Sequence, residues 1–230
     1  MIFITIRIFV LIISVMLHEL AHGFVALVLG DDTAKKAGRL TFNPIKHLDL
    51  VGSVIFPAIL AITHSPVMFG WAKPVPIDMS KVKDSKKHIA TVSIVGPLTN
   101  VSLAVIGVLL LWLLRVLIEG KYGQDLYQVF LMINDTAKMQ LIAADPLLFI
   151  AIEVFMQLVF INTALAVVNL VPIPPLDGSR LLFPFLNKDQ EAIYNKLEKY
   201  GILLIFLLLY MNVLDPIFNF VFGLVIQLII

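Results

Sequence analysis

The sequence predicts an all-α polytopic membrane protein, and three observations carry that expectation. Of the 230 residues, 60% are hydrophobic and 14% are charged, whereas a soluble domain holds roughly 45–50% apolar and about 25% charged residues. The mean hydropathy is +0.97. The apolar residues also gather into stretches of the ~20 residues that a helix needs to cross a bilayer. Lipid is therefore the solvent for most of the chain. A soluble nucleic-acid binder, a disordered segment and a secreted disulfide scaffold are all excluded. Net charge is +1, so no bulk electrostatic partner is implied, and the absence of cysteine removes disulfides, thiolate metal sites and cysteine nucleophiles.

The elements follow in order as one membrane domain over residues 1–230, with no internal repeat. Residues 1–29 form a first span, with Arg7 as its only Lys or Arg. A cleaved signal peptide fits less well, because the stretch is long and holds His18, Glu19 and His22 in its second half. Residues 89–118 form a second span and 146–171 a third, the latter with Glu153 and Gln157 near its start. Residues 201–229 are almost wholly apolar but broken by Asp215-Pro216. They make one kinked helix or a hairpin of two. The apolar run Ser53–Ile62 is short, contains Pro57 and is followed by His64.

Loop charge orients these elements, because Lys and Arg accumulate on the cytoplasmic side. Loops 30–52, 71–88 and 177–200 are rich in Lys and Arg, while loop 115–145 carries Glu119, Asp125, Asp135 and Asp145. The first three read as cytoplasmic, the last and the N-terminus as external. Two cytoplasmic loops flank residues 53–70, so that segment is expected to re-enter rather than cross. Gly38–Asn43 and Trp71–Ile77 have some strand character and predict a small edge β-sheet, since Pro74 and Pro76 suit only an edge.

The chemistry is concentrated at His18-Glu19-Leu20-Ala21-His22, an H-E-x-x-H pattern. Residues i and i+4 share one helix face, so both imidazoles can converge on one zinc ion. Glu19 lies about 100° around the helix, within reach of water at that ion without ligating it. Ionisable groups in a spanning helix cost roughly 2.5–3.5 kcal/mol each even on the lenient insertion scale. Three of them together need a common partner, and a metal supplies it. Hydrolytic zinc sites usually take three protein ligands. Candidates for the third are His47, His64, His88 and any intramembrane carboxylate. Asp177 is the best placed. Pro172, Pro174, Pro175 and Gly178 break the helix around it, at the end of its span that matches the depth of His18.

At these residues the sequence resembles the site-2 protease family of intramembrane zinc metalloproteases. The resemblance rests on His18–His22, on Gly96-Pro97-Leu98-Thr99-Asn100 and on Asn169…Pro172…Leu176-Asp177-Gly178, in that order over roughly residues 10–185. Gly38–Pro44 with His47 and Asp49, and Gly70–Pro76, are similar to the small prokaryotic members without a PDZ or CBS domain. The resemblance implies a three-helix core on the three spans. It also implies one Zn2+ per chain on His18, His22 and Asp177, and Glu19 as catalytic base for peptide-bond hydrolysis. Partners would be the lipid bilayer and a transmembrane or membrane-anchored protein substrate, met on the cytoplasmic side of the cell membrane. The family's Asn-Pro-Asp-Gly element is split here between Asn169 and Asp177.

Two further residues have competing roles. Asn100 either holds substrate backbone and a developing oxyanion or bonds between helices. Asn169 either orients Asp177 or caps its helix. His47 and His88 are expected in solvent, and Glu153 to reach the external interface. Two other functions compete with hydrolysis. A metal transporter would carry several weaker sites along its spans, and a non-catalytic scaffold would not need Glu19 beside two histidines.

Overall fold

The computed structural model describes residues 2–55, 59, 73–78, 81, 85–122 and 145–229. These are mostly helical. α1 runs Ile2–Val28, α2 Thr33–Lys36, α3 Ser85–Tyr122, α4 Pro146–Leu170 and α5 Asp177–Arg180. α6 is Lys188–Glu198, α7 Gly201–Tyr210 and α8 Asp215–Ile229. Short 3-10 turns occupy Pro44–His47 and Phe183–Phe185, and a π-turn Leu50–Ile55.

Three helices are long and apolar enough to span a bilayer: Ile2–Val28, Lys86–Leu117 and Pro146–Leu170. At 1.5 Å per residue, 25 residues reach about 38 Å, beyond the ~30 Å of hydrocarbon. α7 and α8 form a bent pair, turned by 73° at a short break. The protein is thus a multi-pass membrane protein, and its C-terminal apolar stretch is two helices rather than one.

Helix ends are set by local chemistry. α1 stops where Gly30 takes φ +107°, with Asp31 N–H bonding Ala26 O and Gly30 N–H bonding Leu27 O. That 6→1 and 5→2 pair is a Schellman motif, and it needs a left-handed residue. α2 ends the same way at Gly38, with Arg39 N–H on Ala34 O. α4 starts at Pro146, where the missing N–H costs nothing, and Asp145 caps it through Leu148 N–H at 3.1 Å. Asn187 and Gln190 close a capping box on α6.

The chain divides into two compact units. One comprises Met1–Leu11, Asn100–Val167 and Phe206–Ile230. Its core is Val108, Leu111, Phe149, Ile152, Val159 and Ile229, with Phe3 edge-on to Phe149 at 5.4 Å. The other comprises Ile12–Thr99 and Val168–Ile205 and holds the site described below.

The expected edge sheet is absent: no strand occurs among the described residues. The reason is where the backbone groups go. Pro74 and Pro76 have no N–H, the Lys73 N–H bonds His47 O at 2.9 Å, and the Lys73 carbonyl accepts from Arg39 Nη2 at 2.6 Å. In the other segment, Thr41 and Asn43 side chains accept the N–H groups of Asn43 and Ile45. Such local bonds compete with a ladder. Of the expected re-entrant stretch, only residues 53–55 and 59 are described, and His64 lies outside. Residues 123–144 of the expected external loop lie outside too. His47 is not in solvent but buried, its Nε2 donating to Thr41 O at 2.9 Å. Glu153 is buried on α4 instead of reaching an interface.

Candidate metal centre and active site

His18 and His22 stand one turn apart on α1, each only 7% exposed. Their rings meet edge-on, with centroids 4.7 Å apart, so their Nε2 atoms converge instead of stacking. The partner of this face is α3. His22 Nδ1 donates to the Val92 carbonyl at 2.8 Å, which fixes the tautomer and leaves Nε2 as an electron-pair donor. One turn along α3, Gly96 packs directly on the two imidazoles. A Cβ there would lie 2.5 Å from His18 Cε1 and 2.6 Å from His22 Cε1. Pro97 follows inside the same helix and removes the usual i+4 donor to the Ser93 carbonyl.

Asp177 arrives from the turn after α4. Val171–Leu176 fold on short local bonds, Ile173 N–H to Val171 O at 2.8 Å and Leu176 N–H to Ile173 O at 3.0 Å. The three prolines among these residues donate nothing. Gly178 lies against the Leu170 and Val171 carbonyls, where a Cβ would come within 2.7 Å of Val171 O. Ser179 Oγ donates to Leu176 O at 2.6 Å and pairs with the Tyr194 hydroxyl of α6 at 2.9 Å.

The result is a tight triangle. His18 Nε2 lies 3.1 Å from Asp177 Oδ2, His22 Nε2 lies 3.2 Å from the same oxygen, and the two Nε2 atoms are 3.1 Å apart. Ligands at 2.0–2.1 Å in a tetrahedral zinc site are about 3.3 Å from one another. The donor set and its spacing therefore fit that ion. These three are the one such group of His and carboxylate side chains among the described residues. Burial alone would favour the neutral acid at Asp177. Hydrogen bonds and charge from His18 and His22, when these are protonated, outweigh it and hold the carboxyl below the usual carboxylate range.

Glu19 borders the same cavity of about 650 Å³, together with Val92, Ser93, Asn169 and Tyr194. Its Oε2 accepts the backbone N–H of Val75 at 2.7 Å. Of the two asparagines singled out by sequence, Asn169 lines this cavity and Asn100 does not. Asn100 belongs to the other unit, fully buried, with its amide donating to Asn162 Oδ1 at 2.9 Å. The Val92 carbonyl, the Val75 N–H and Tyr194 were not legible beforehand. The one sequence signal was Pro-Val-Pro, which leaves a single N–H across three residues.

Residues 6–213 match the sequence profile of Peptidase family M50. The chain is 37% identical, over 202 residues, to a Bacillus subtilis protein named "Putative zinc metalloprotease YwhC", covering 88% of this chain and 78% of that one. It is 28% identical over 198 residues to "Putative zinc metalloprotease Rip2" of Mycolicibacterium smegmatis, covering 86% of this chain and 64% of that one. No solved structure matches.

Proposed function

Because the chain belongs to peptidase family M50, the site-2 protease family, we propose that it is an intramembrane zinc endopeptidase that hydrolyses peptide bonds of membrane-anchored proteins. The observation that carries this reading is the triangle of His18 Nε2, His22 Nε2 and Asp177 Oδ2, with Glu19 on the wall of the same cavity. Those three side chains would hold one zinc ion. When bound, zinc supplies a Lewis acid that acidifies water and polarises a carbonyl. The residues of the chain do the rest. The Glu19 carboxylate takes the proton of the attacking water and passes it to the leaving amine. The Val92 carbonyl orients His22, and Ser179 and Tyr194 brace the turn that delivers Asp177. Asn169, which lines the same cavity as Asp177, orients it or the substrate. Asn100 has the interhelical role that its bond to Asn162 supports.

A spanning helix offers no free backbone carbonyls, so the substrate must unwind locally to be cut. The Lys- and Arg-rich loops 30–52, 71–88 and 177–200 favour a site that opens toward the cytoplasm. The test is metal content and cleavage in detergent-purified protein. Wild type should hold about one zinc per chain, lost in His18→Ala and Asp177→Ala. Glu19→Gln should keep zinc and lose cleavage of a membrane-anchored test protein. Zinc retained in Asp177→Ala, or cleavage retained in Glu19→Gln, would sink the assignment.

A further inference from the structure

The segment 73–78 crosses the site without regular secondary structure, yet four of its backbone groups bond distant residues. Lys73 N–H bonds His47 O at 2.9 Å, and Lys73 O accepts from Arg39 Nη2 at 2.6 Å. At the other end, Asp78 N–H bonds Asp31 Oδ2 at 2.6 Å. Between these anchors, Pro74 and Pro76 have no N–H and flank that of Val75, which is the only one across residues 74–76. It points at Glu19 Oε2, 2.7 Å away.

The anchors are costly to build. Asp31 is 0% exposed and Arg39 7%. Arg39 Nε finds no partner among the described residues. Buried charges persist only where their contacts repay desolvation. Each anchor is also set by a glycine, since Gly30 and Gly38 make the left-handed turns that immediately precede Asp31 and Arg39. Gly23, one turn beyond Glu19 on α1, leaves the space that Val75 fills. A Cβ there would meet Val75 Cγ1 at 2.8 Å and Leu40 Cδ2 at 2.7 Å. Six residues of backbone are thus fixed at both ends and seated in the middle, and one N–H meets the acid.

We propose that residues 73–78 are a positioning strap, held by Asp31 and Arg39, that orients the Glu19 carboxylate through the Val75 N–H. The inference rests on Glu19 being the base of the proposed hydrolysis. A glutamate has three free torsions, and a charge-assisted N–H bond to one oxygen removes most of that freedom. A carboxylate accepts at both oxygens, so Oε1 stays available for proton transfer. A misplacement of about 1 Å costs about 100-fold in rate, which is what release of the strap would cause.

The experiment uses the full chain in detergent with zinc bound. Amide exchange of a peptide covering 73–78 is compared between wild type and Glu19→Ala. The strap predicts that one amide, that of Val75, exchanges at least about tenfold faster in the variant, while those of Lys73 and Asp78 do not change. In parallel, Arg39→Gln and Asp31→Ala should lower kcat about 10- to 100-fold, with KM within about twofold and zinc content unchanged. Arg39→Lys should recover part of the loss, and Lys36→Ala, which removes an exposed ion pair, should match wild type. Unchanged Val75 exchange in Glu19→Ala overturns the proposal, and this readout stands even if the Asp31 or Arg39 variants fail to fold. A rise in kcat on releasing the strap overturns it too, because the segment would then be an obstruction. Cleavage surviving in Glu19→Gln overturns the hydrolytic reading instead, and leaves the exchange result to judge the contact alone.

Discussion

Replacing Gly96 by alanine tests the site at its tightest point. The added Cβ would stand 2.5 Å from His18 Cε1 and 2.6 Å from His22 Cε1, and ordinary contact begins at 3.4 Å. His22 Nε2 would be nearer still, so the two imidazoles must each retreat by about 1 Å, or α3 must move away from them. Neither adjustment is cheap. His22 is tied by Nδ1 to the Val92 carbonyl, one turn from Gly96 on the same helix, so moving the helix drags the ring with it. Zinc sites tolerate deviations of only about 0.2 Å in ligand distance. Losing one hydrogen bond behind a metal-bound histidine already costs 10–100-fold in affinity. Displacing two rings by several times that tolerance should cost about 100-fold or more. The assay is a competition titration against a chromophoric chelator, read beside cleavage of a membrane-anchored substrate and helicity by circular dichroism. Gly96→Ala with wild-type helicity, wild-type zinc affinity and wild-type turnover would refute the reasoning.

Two further predictions concern residues away from the proposed metal site. Asn162→Leu removes the acceptor of the Asn100 amide and should lower stability by about 1 kcal/mol, typical of an interhelical bond in a membrane protein. Zinc content and kcat should stay as in wild type; a loss of kcat alone would return Asn100 to the reaction. Asp31 is the acid-sensitive anchor of the strap. Burial disfavours its charge, but the Thr33 hydroxyl, the N–H groups of Asp78 and Thr33 and the nearby Lys81 outweigh that and hold its carboxyl below the usual range. Its folded value is thus below its unfolded value of about 3.9. The stabilisation is fully present above that value and fades as pH falls below roughly 5. Melting temperatures of wild type and Asp31→Asn should therefore differ at pH 7 and converge toward pH 3. A gap that stays constant over that range would be the contrary result.

The spans were legible because a bilayer imposes a length and a composition that few other environments demand. That His18, His22 and Asp177 would converge, with Glu19 on the same cavity, was legible for a related reason. Polar residues in apolar surroundings need partners, and their spacing says which partner. The small sheet was misread because Arg-Leu-Thr-Phe and Pro-Val-Pro-Ile have the residue types of strands while their hydrogen bonds run elsewhere, to Arg39, His47 and Glu19. His47 is hidden in the fold although its neighbours Lys46 and Asp49 suggest solvent. Side-chain type reports burial only on average, and a ring that finds a backbone carbonyl at 2.9 Å can be buried in any loop. Glu153 is likewise buried, inside α4. The role of Gly96 was half visible. Its motif was recognisable, but the reason for a glycine lies in a contact between residues 96 and 22, which no local pattern encodes.

A hydrolytic site in a membrane has to solve two opposed problems, and the arrangement here answers both with backbone groups. Water must act at the metal, yet an apolar surround penalises every polar atom left without a partner. The Val92 carbonyl takes the second nitrogen of His22, the Val75 N–H takes one oxygen of Glu19, and the Leu176 carbonyl takes the Ser179 hydroxyl beside Asp177. None of these partners can titrate or leave, because each is part of the main chain. On the proposed function, these groups would therefore need little reorganisation when charge develops, which is where preorganised sites gain most. Prolines serve the same end. At 74 and 76 they leave one N–H to be aimed, at 97 they relieve the Ser93 carbonyl of its helical donor, and at 172, 174 and 175 they force the turn that carries Asp177. An alanine at Pro76 would add an N–H to the strap at a position where no acceptor is needed. By this argument its harm would come from slack in the strap, not from a lost contact, and would appear in kcat before it appeared in zinc content.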